Sequence, residues 1–148
     1  MANTTAMCTS FKGELLTGTH NFTPSTGNTF KAALYFATGS LGAATTAYST
    51  TDEVTNTSGT GYTAGGVTVT NATAPTTSGT TAYWTPSASF SWSALTITTA
   101  FDAVLIYNSS SGNKAVSVHN FGSQTVTAGT FTLTMPTNDA TTGLLRIA

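Results

Sequence analysis

The sequence predicts an all-β domain, a jelly-roll-like β-sandwich carrying a short N-terminal helix and a long loop or arm. Three observations carry this expectation. Threonine, serine, alanine and glycine dominate the chain, and threonine, branched at Cβ, favours extended backbone over helix. Eight Phe, five Tyr and two Trp supply the core material that a disordered chain lacks. From about residue 66 onward, short alternating segments are separated by Gly, Pro, Ser and Asn clusters, the spacing of a sandwich or barrel. A length of 148 residues corresponds to one domain, so 1–148 is read as a single unit.

The only helical pattern lies within residues 1–18, where Met7, Phe11 and Leu15 recur every four residues with Leu16 beside them. Thr9 or Ser10 is the candidate N-cap and Gly18 the candidate stop. At "TFKAALYFA" the period changes to two: Phe30, Ala32, Leu34 and Phe36 point one way and Lys31, Ala33 and Tyr35 the other. Residues 39–66 carry turn residues and little alternation, and read as an extended loop or arm ordered by a neighbour.

Seven or eight strands are then expected, among them "GVTVTNAT", "GTTAYWT", "ASFSWS", "LTIT", "FDAVLIYN", "KAVSVHNFG" and "TFTLTMP". "VLIYN" is apolar on both faces, which marks a central strand. Ala103 to Tyr107 and Ala115 to Phe121 form a hairpin around "NSSSGN", where Gly112 and the asparagines supply positive φ. Lys114 stands at the edge of that loop, as a solubilising charge or a guard of a strand edge.

Charged residues make up only 6% of the chain, against about 25% in an ordinary domain. Four Lys or Arg against five Asp or Glu leave no basic stripe for a phosphate backbone, which argues against nucleic acid. No segment reaches the roughly 20 apolar residues of a membrane-spanning helix. "MANTTAMCTSFKGELL" lacks the pattern of a secretion signal, and a single cysteine, Cys8, makes no intrachain disulfide, so folding in a cytoplasm is expected. A neutral, hydroxyl-rich surface gives copies little mutual repulsion and suits an assembled state.

Candidate chemistry is sparse. His20 and His119 lie about a hundred residues apart without metal-ligand spacing, and neither metal nor cofactor is expected. Asp52 and Glu53 adjoin but face opposite sides of an extended chain, so a solvated loop is the expectation, with Asp102 guarding a strand end. No G-x-S-x-G elbow accompanies the many serines. An enzyme would require the fold to bring a histidine beside a carboxylate. Sequons at Asn3, Asn21, Asn56, Asn71 and Asn108 follow from the Thr-rich composition. Tyr83, Trp84 and Trp92, if exposed on a β face, would support a sugar-binding module as an alternative.

Taken together, "MCTSFKGELLTGTHNF", "TTAYSTTDEV" with "GTGYTAGG", "LIYNSSSGNKAVSVHNFGS" and "VTAGTFTLTMP" resemble small virion structural proteins of tailed bacteriophages, over nearly the whole chain. The resemblance implies a non-enzymatic capsid decoration or cement protein, a dimer or trimer that clamps the major capsid protein on the shell. A neck, tail or fibre-associated domain is the alternative it leaves open. Candidate partner contacts are Met7, Phe11 and Leu15 on the helix, a face that more often caps the sandwich core, Tyr48 and Tyr62 in the arm, which serve equally for self-packing, and Asn108, Asn113 and Lys114 around the hairpin loop.

Overall fold

A computed structural model of the chain describes residues 2–55 and 59–148. Among the described residues eight strands form two antiparallel sheets beside one short helix, so the fold is the all-β, sandwich-like class that the composition predicts. In chain order the elements are β1 (Ala6–Met7), α1 (Thr9–Leu16), β2 (Phe30–Phe36), β3 (Val67–Thr68), β4 (Thr76–Ser78), β5 (Thr81–Trp84), β6 (Phe90–Asn108), β7 (Lys114–Leu133) and β8 (Leu145–Ile147). The larger sheet runs β1-β7-β6-β2-β3 and the smaller β4-β5-β8.

Several segments expected as separate strands are continuous. "FSWS", "LTIT" and "FDAVLIYN" fuse into the 19-residue β6, and "KAVSVHNFG" runs through to "TFTL" in the 20-residue β7. Successive register shifts between Trp92 and Ala103 bend the hairpin without breaking it, the work of β-bulges. Ala94 and Ala128 take positive φ there, at 55° and 48°. The turn signals in the sequence thus mark bulges, not strand ends.

The helix begins later than the apolar periodicity implies. Met7 pairs as strand with Ser117 of β7, and Cys8, extended and lacking a side-chain cap bond, precedes the first turn. The cause is tertiary pairing: Asn120 donates its backbone N–H to Thr5 Oγ1 and its Nδ2 to the Asn3 carbonyl, which holds the N-terminal segment extended on β7. Gly18, at φ 66°, closes the helix as predicted, its N–H bonding the Leu15 carbonyl. Phe11 is buried, whereas Leu16, grouped with it by sequence, is 91% exposed.

The segment 39–66 is not an arm reserved for a neighbour. Its described residues pack on their own sheet. Near β7, Ala115 N–H bonds the Thr46 carbonyl and Tyr48 N–H bonds the Asn113 carbonyl. On the far side, Val54 N–H bonds the Leu34 carbonyl and Phe36 N–H bonds the Asp52 carbonyl. Between those anchors Tyr48 stacks on Tyr107 of β6 at 4.6 Å. The segment therefore straps one face of the sheet from the β7 side to the β2 side. This is why Ala33 and Tyr35, on the second face of β2, are as buried as Leu34, and why Val104 to Tyr107 is apolar on both faces.

Glu53, expected in a solvated loop, is 2% exposed at the heart of this strap. Oε2 accepts from Tyr48 Oη at 2.7 Å, and Oε1 accepts from Tyr62 Oη at 2.8 Å and Gly65 N–H at 2.6 Å. Tyr62 Oη also accepts the Leu34 N–H, and Tyr107 Oη donates to the Gly65 carbonyl. Burial, with the Glu53 carboxylate nearby, pushes the Tyr107 phenol up to about 12. Tyr62 moves further in the same direction for the same two reasons. The phenols therefore stay protonated and act as donors.

Gly66 closes the strap against β2. Its φ is 70°, and a Cβ there would collide with the Ala32 carbonyl oxygen. Gly66→Ala is expected to destabilise the domain by more than about 2 kcal/mol, from strain and steric conflict together. Urea denaturation measures this, and a midpoint equal to that of the native chain would contradict the account.

Candidate functional site

Two connected features stand out: an apolar cleft between the helix and the smaller sheet, and a polar chain that meets it at His20. The cleft, of about 670 Å3, is walled by Phe11 and Leu15 of α1, Phe22 of the following loop, Trp84 of β5, and Leu145 and Ile147 of β8. Its inner wall is an aromatic stack. Phe22 lies flat on Phe30 of the larger sheet at 4.3 Å and meets Trp84 edge-on at 4.8 Å, so this one ring joins the two sheets. Trp84 Nε1 donates to Asn71 Oδ1 and the Thr73 carbonyl, which fixes the indole with its polar edge away from solvent.

The polar chain begins at Lys114, whose Nζ donates to Glu14 Oε1 at 2.7 Å. Glu14 Oε2 lies 2.7 Å from His20 Nε2, and His20 Nδ1 lies 3.1 Å from Asn108 Nδ2. The network fixes the tautomer. Ser110 N–H donates to Asn108 Oδ1, so the amide must present Nδ2 to His20. Nδ1 is then the acceptor and Nε2–H the donor to Glu14. Burial would raise the Glu14 carboxyl, but the hydrogen bonds from Lys114 and His20 outweigh it and hold the group below the usual carboxylate range.

The fold thus brings a histidine beside a carboxylate, the arrangement an enzyme would require. Its chemistry is nevertheless closed. His20 is 7% exposed, and with Nδ1 accepting and Nε2 donating it keeps no lone pair to take a substrate proton. The chain works instead as a brace: it ties helix, loop and hairpin end together behind the cleft. Sequence reasoning read His20, Glu14 and Asn108 apart because their partners are not local. Lys114 and Glu14 are 100 residues apart, and Asn108 and His20 are 88.

The predicted contact residues divide sharply. Phe11, Tyr62 and Asn108 are buried at 1%, 1% and 0% exposure, so each packs or bonds within its own chain, Phe11 in the wall of the cleft. Met7, Leu15, Tyr48 and Lys114 are half-buried, Tyr48 on Tyr107 and Glu53, Lys114 on Glu14. Lys114 is accordingly an internal ion-pair partner as well as a strand-edge residue. Asn113 alone is fully exposed, at φ 57° in the hairpin turn. Trp84 and Trp92 are 3% and 5% exposed and only Tyr83 is half-buried, so the three do not form the exposed aromatic face that a sugar-binding reading requires.

Asp102 does not guard a strand end. It lies within β6 and accepts Asn3 Nδ2 at 2.6 Å and Asn120 Nδ2 at 3.0 Å, tying the N-terminal segment to the hairpin. Cys8 is buried as a small hydrophobe, and burial pushes its thiol up to about 11. Of the sequons, Asn56 lies outside the described residues, and Asn3 and Asn108 are buried. Among the described residues no three His, Cys, Asp or Glu side chains gather as a metal ion requires, and no helix is long and apolar enough to cross a membrane. Compared with known proteins, the chain matches no protein-family model, no curated protein and no solved structure.

His119 hydrogen-bonds Ser117 Oγ at 3.0 Å, and burial lowers its imidazole to about 4 from the ordinary 6.5. Below pH 6.5 the unfolded chain therefore binds a proton that the folded chain refuses, so stability should fall as pH drops from 6.5 towards 4. The loss is on the order of 3 kcal/mol, since one pKa unit corresponds to about 1.4 kcal/mol. Chemical denaturation across this range should show the slope in the native chain and a clearly flatter one in His119→Gln. Equal slopes would remove His119 as its cause.

Proposed function

We propose that this chain is a non-enzymatic structural protein of a tailed-phage virion, a decoration or cement protein that binds the major capsid protein and stabilises the shell. One observation carries the reading beyond the sequence resemblance: three of the five carboxylates of the chain are buried or engaged by its own side chains. Glu53 and Asp102 are buried, and Glu14 is engaged by Lys114 and His20. What remains outside is almost neutral and rich in threonine and serine hydroxyls. Such a surface forms weak, shape-matched contacts that gain strength only when repeated over many copies, and it sets little repulsion between copies in a dimer or trimer.

The stretches that carry the resemblance support a scaffold. "TTAYSTTDEV" and "GTGYTAGG" form the two halves of the strap around Glu53, and "IYNSSSGNKAV" forms the hairpin turn that the strap grips. Their residues hold a rigid shape. Host-cell assembly and a place on the outer shell follow from this reading as part of the proposal.

Cryo-electron microscopy of the intact particle tests it. The expected result is density for this chain repeated over the shell and bridging major capsid subunits. Density confined to the portal vertex or tail would replace the decoration role with a neck or tail role, and its absence from the particle would overturn both.

A further inference from the structure

The cleft combines three features that nothing in the shell-binding reading assigns. It is apolar, and its rim carries the only two large hydrophobic side chains prominently exposed among the described residues: Ile147 at 48%, which lines the cleft, and Leu16 at 91%, next to cleft-lining Leu15. Its outer wall is a sheet edge, because β8 is the last strand of the smaller sheet and pairs only with β5. The edge also carries one cation. Leu145 and Ile147 face the cleft, so Arg146 between them faces the opposite side. Arg146 bonds the Thr141 carbonyl and stands near Asp139, whose carboxyl it helps to lower, but makes no direct ion pair among the described residues.

We propose that β8 and the cleft form a docking site for an extended segment of a partner protein, in the alternating pattern apolar, acidic, apolar. The segment adds to the β8 edge through backbone hydrogen bonds, the general mode of strand addition. Its two apolar side chains, cross-strand from Leu145 and Ile147, enter the cleft, and its carboxylate stands opposite Arg146 on the outer face. Charge selects this occupant over a second copy. Antiparallel pairing of β8 with its own mate about Arg146 would set two arginines opposite each other, a destabilising pair. The inference goes beyond the shell-binding reading and does not depend on it, since it concerns the chemistry of the docked segment and not which protein carries it.

Titration calorimetry of the full chain with the peptide acetyl-Thr-Val-Glu-Val-Thr-amide, and with its counterpart bearing Lys in place of Glu, tests the proposal. The Glu peptide is expected to bind about fivefold or more tightly than the Lys peptide, from attraction in one case and repulsion in the other. Arg146→Glu should reverse that order. Ile147→Asp should weaken the Glu peptide about tenfold by placing a charge in the apolar wall. Both substituted side chains are exposed, and near-ultraviolet circular dichroism checks that the variants stay folded.

Three results would overturn the proposal: no heat with either peptide, equal affinity for the two, or indifference to Ile147→Asp. So would a dimer in sedimentation that Ile147→Asp dissociates, because the occupant would then be a second copy. None of these outcomes depends on where the chain sits on a particle, so the docking site and the decoration role fail separately.

Discussion

The structure depends on one buried carboxylate. Glu53, buried within a strap of little regular secondary structure, has no cationic partner among the described residues, and it is stable there because two phenols and a backbone amide satisfy it. Without those three donors an unsatisfied buried carboxylate would oppose the backbone bonds and the Tyr48–Tyr107 stack that lay the segment from residue 39 to 66 on the sheet. With them, the second face of β2 and β6 is covered by a segment that lacks the strands a sandwich would ordinarily use for the purpose. Tyr62 shows the substitution most directly: its hydroxyl takes the Leu34 N–H, a bond that a neighbouring strand would otherwise make.

The same economy governs the other charges. A chain with nine ionisable Lys, Arg, Asp and Glu residues uses several of them as internal fasteners: Asp102 ties Asn3 to Asn120, and Glu14 ties Lys114 to His20. Each fastener joins segments far apart in sequence, and each is satisfied by amides, hydroxyls or a single ion pair. A neutral exterior is the consequence. The cleft belongs to this arrangement, because the Lys114–Glu14–His20–Asn108 chain holds the helix at a fixed distance from the hairpin while Phe22 carries the contact to the smaller sheet.

Much of the strand pattern was legible in the sequence. The alternation of Phe30, Ala32 and Leu34, the two-faced apolar run at Val104 to Tyr107 and the glycine and asparagine turn at residue 112 all stand where local chemistry places them. The lengths of β6 and β7 were not legible, because a bulge and a turn use the same small residues, and only pairing with the opposite strand distinguishes them. Met7 was misplaced for a related reason: its helical spacing to Phe11 is real, but bonds from Asn120 hold the preceding residues extended.

By itself the sequence determined that this chain would be β-rich, single-cored, poor in charge and central at "VLIY", because composition and period-two alternation act through neighbouring residues. Only the tertiary structure decided that Glu53 is a buried fastener, that Asn108 and Tyr62 face inward, and that Leu145, Ile147 and Trp84 share a cleft with α1. Those facts rest on contacts that run from 5 positions, Tyr48 to Glu53, to 88 positions, Asn108 to His20. Local patterning states which face a side chain prefers, but not which distant group will meet it there.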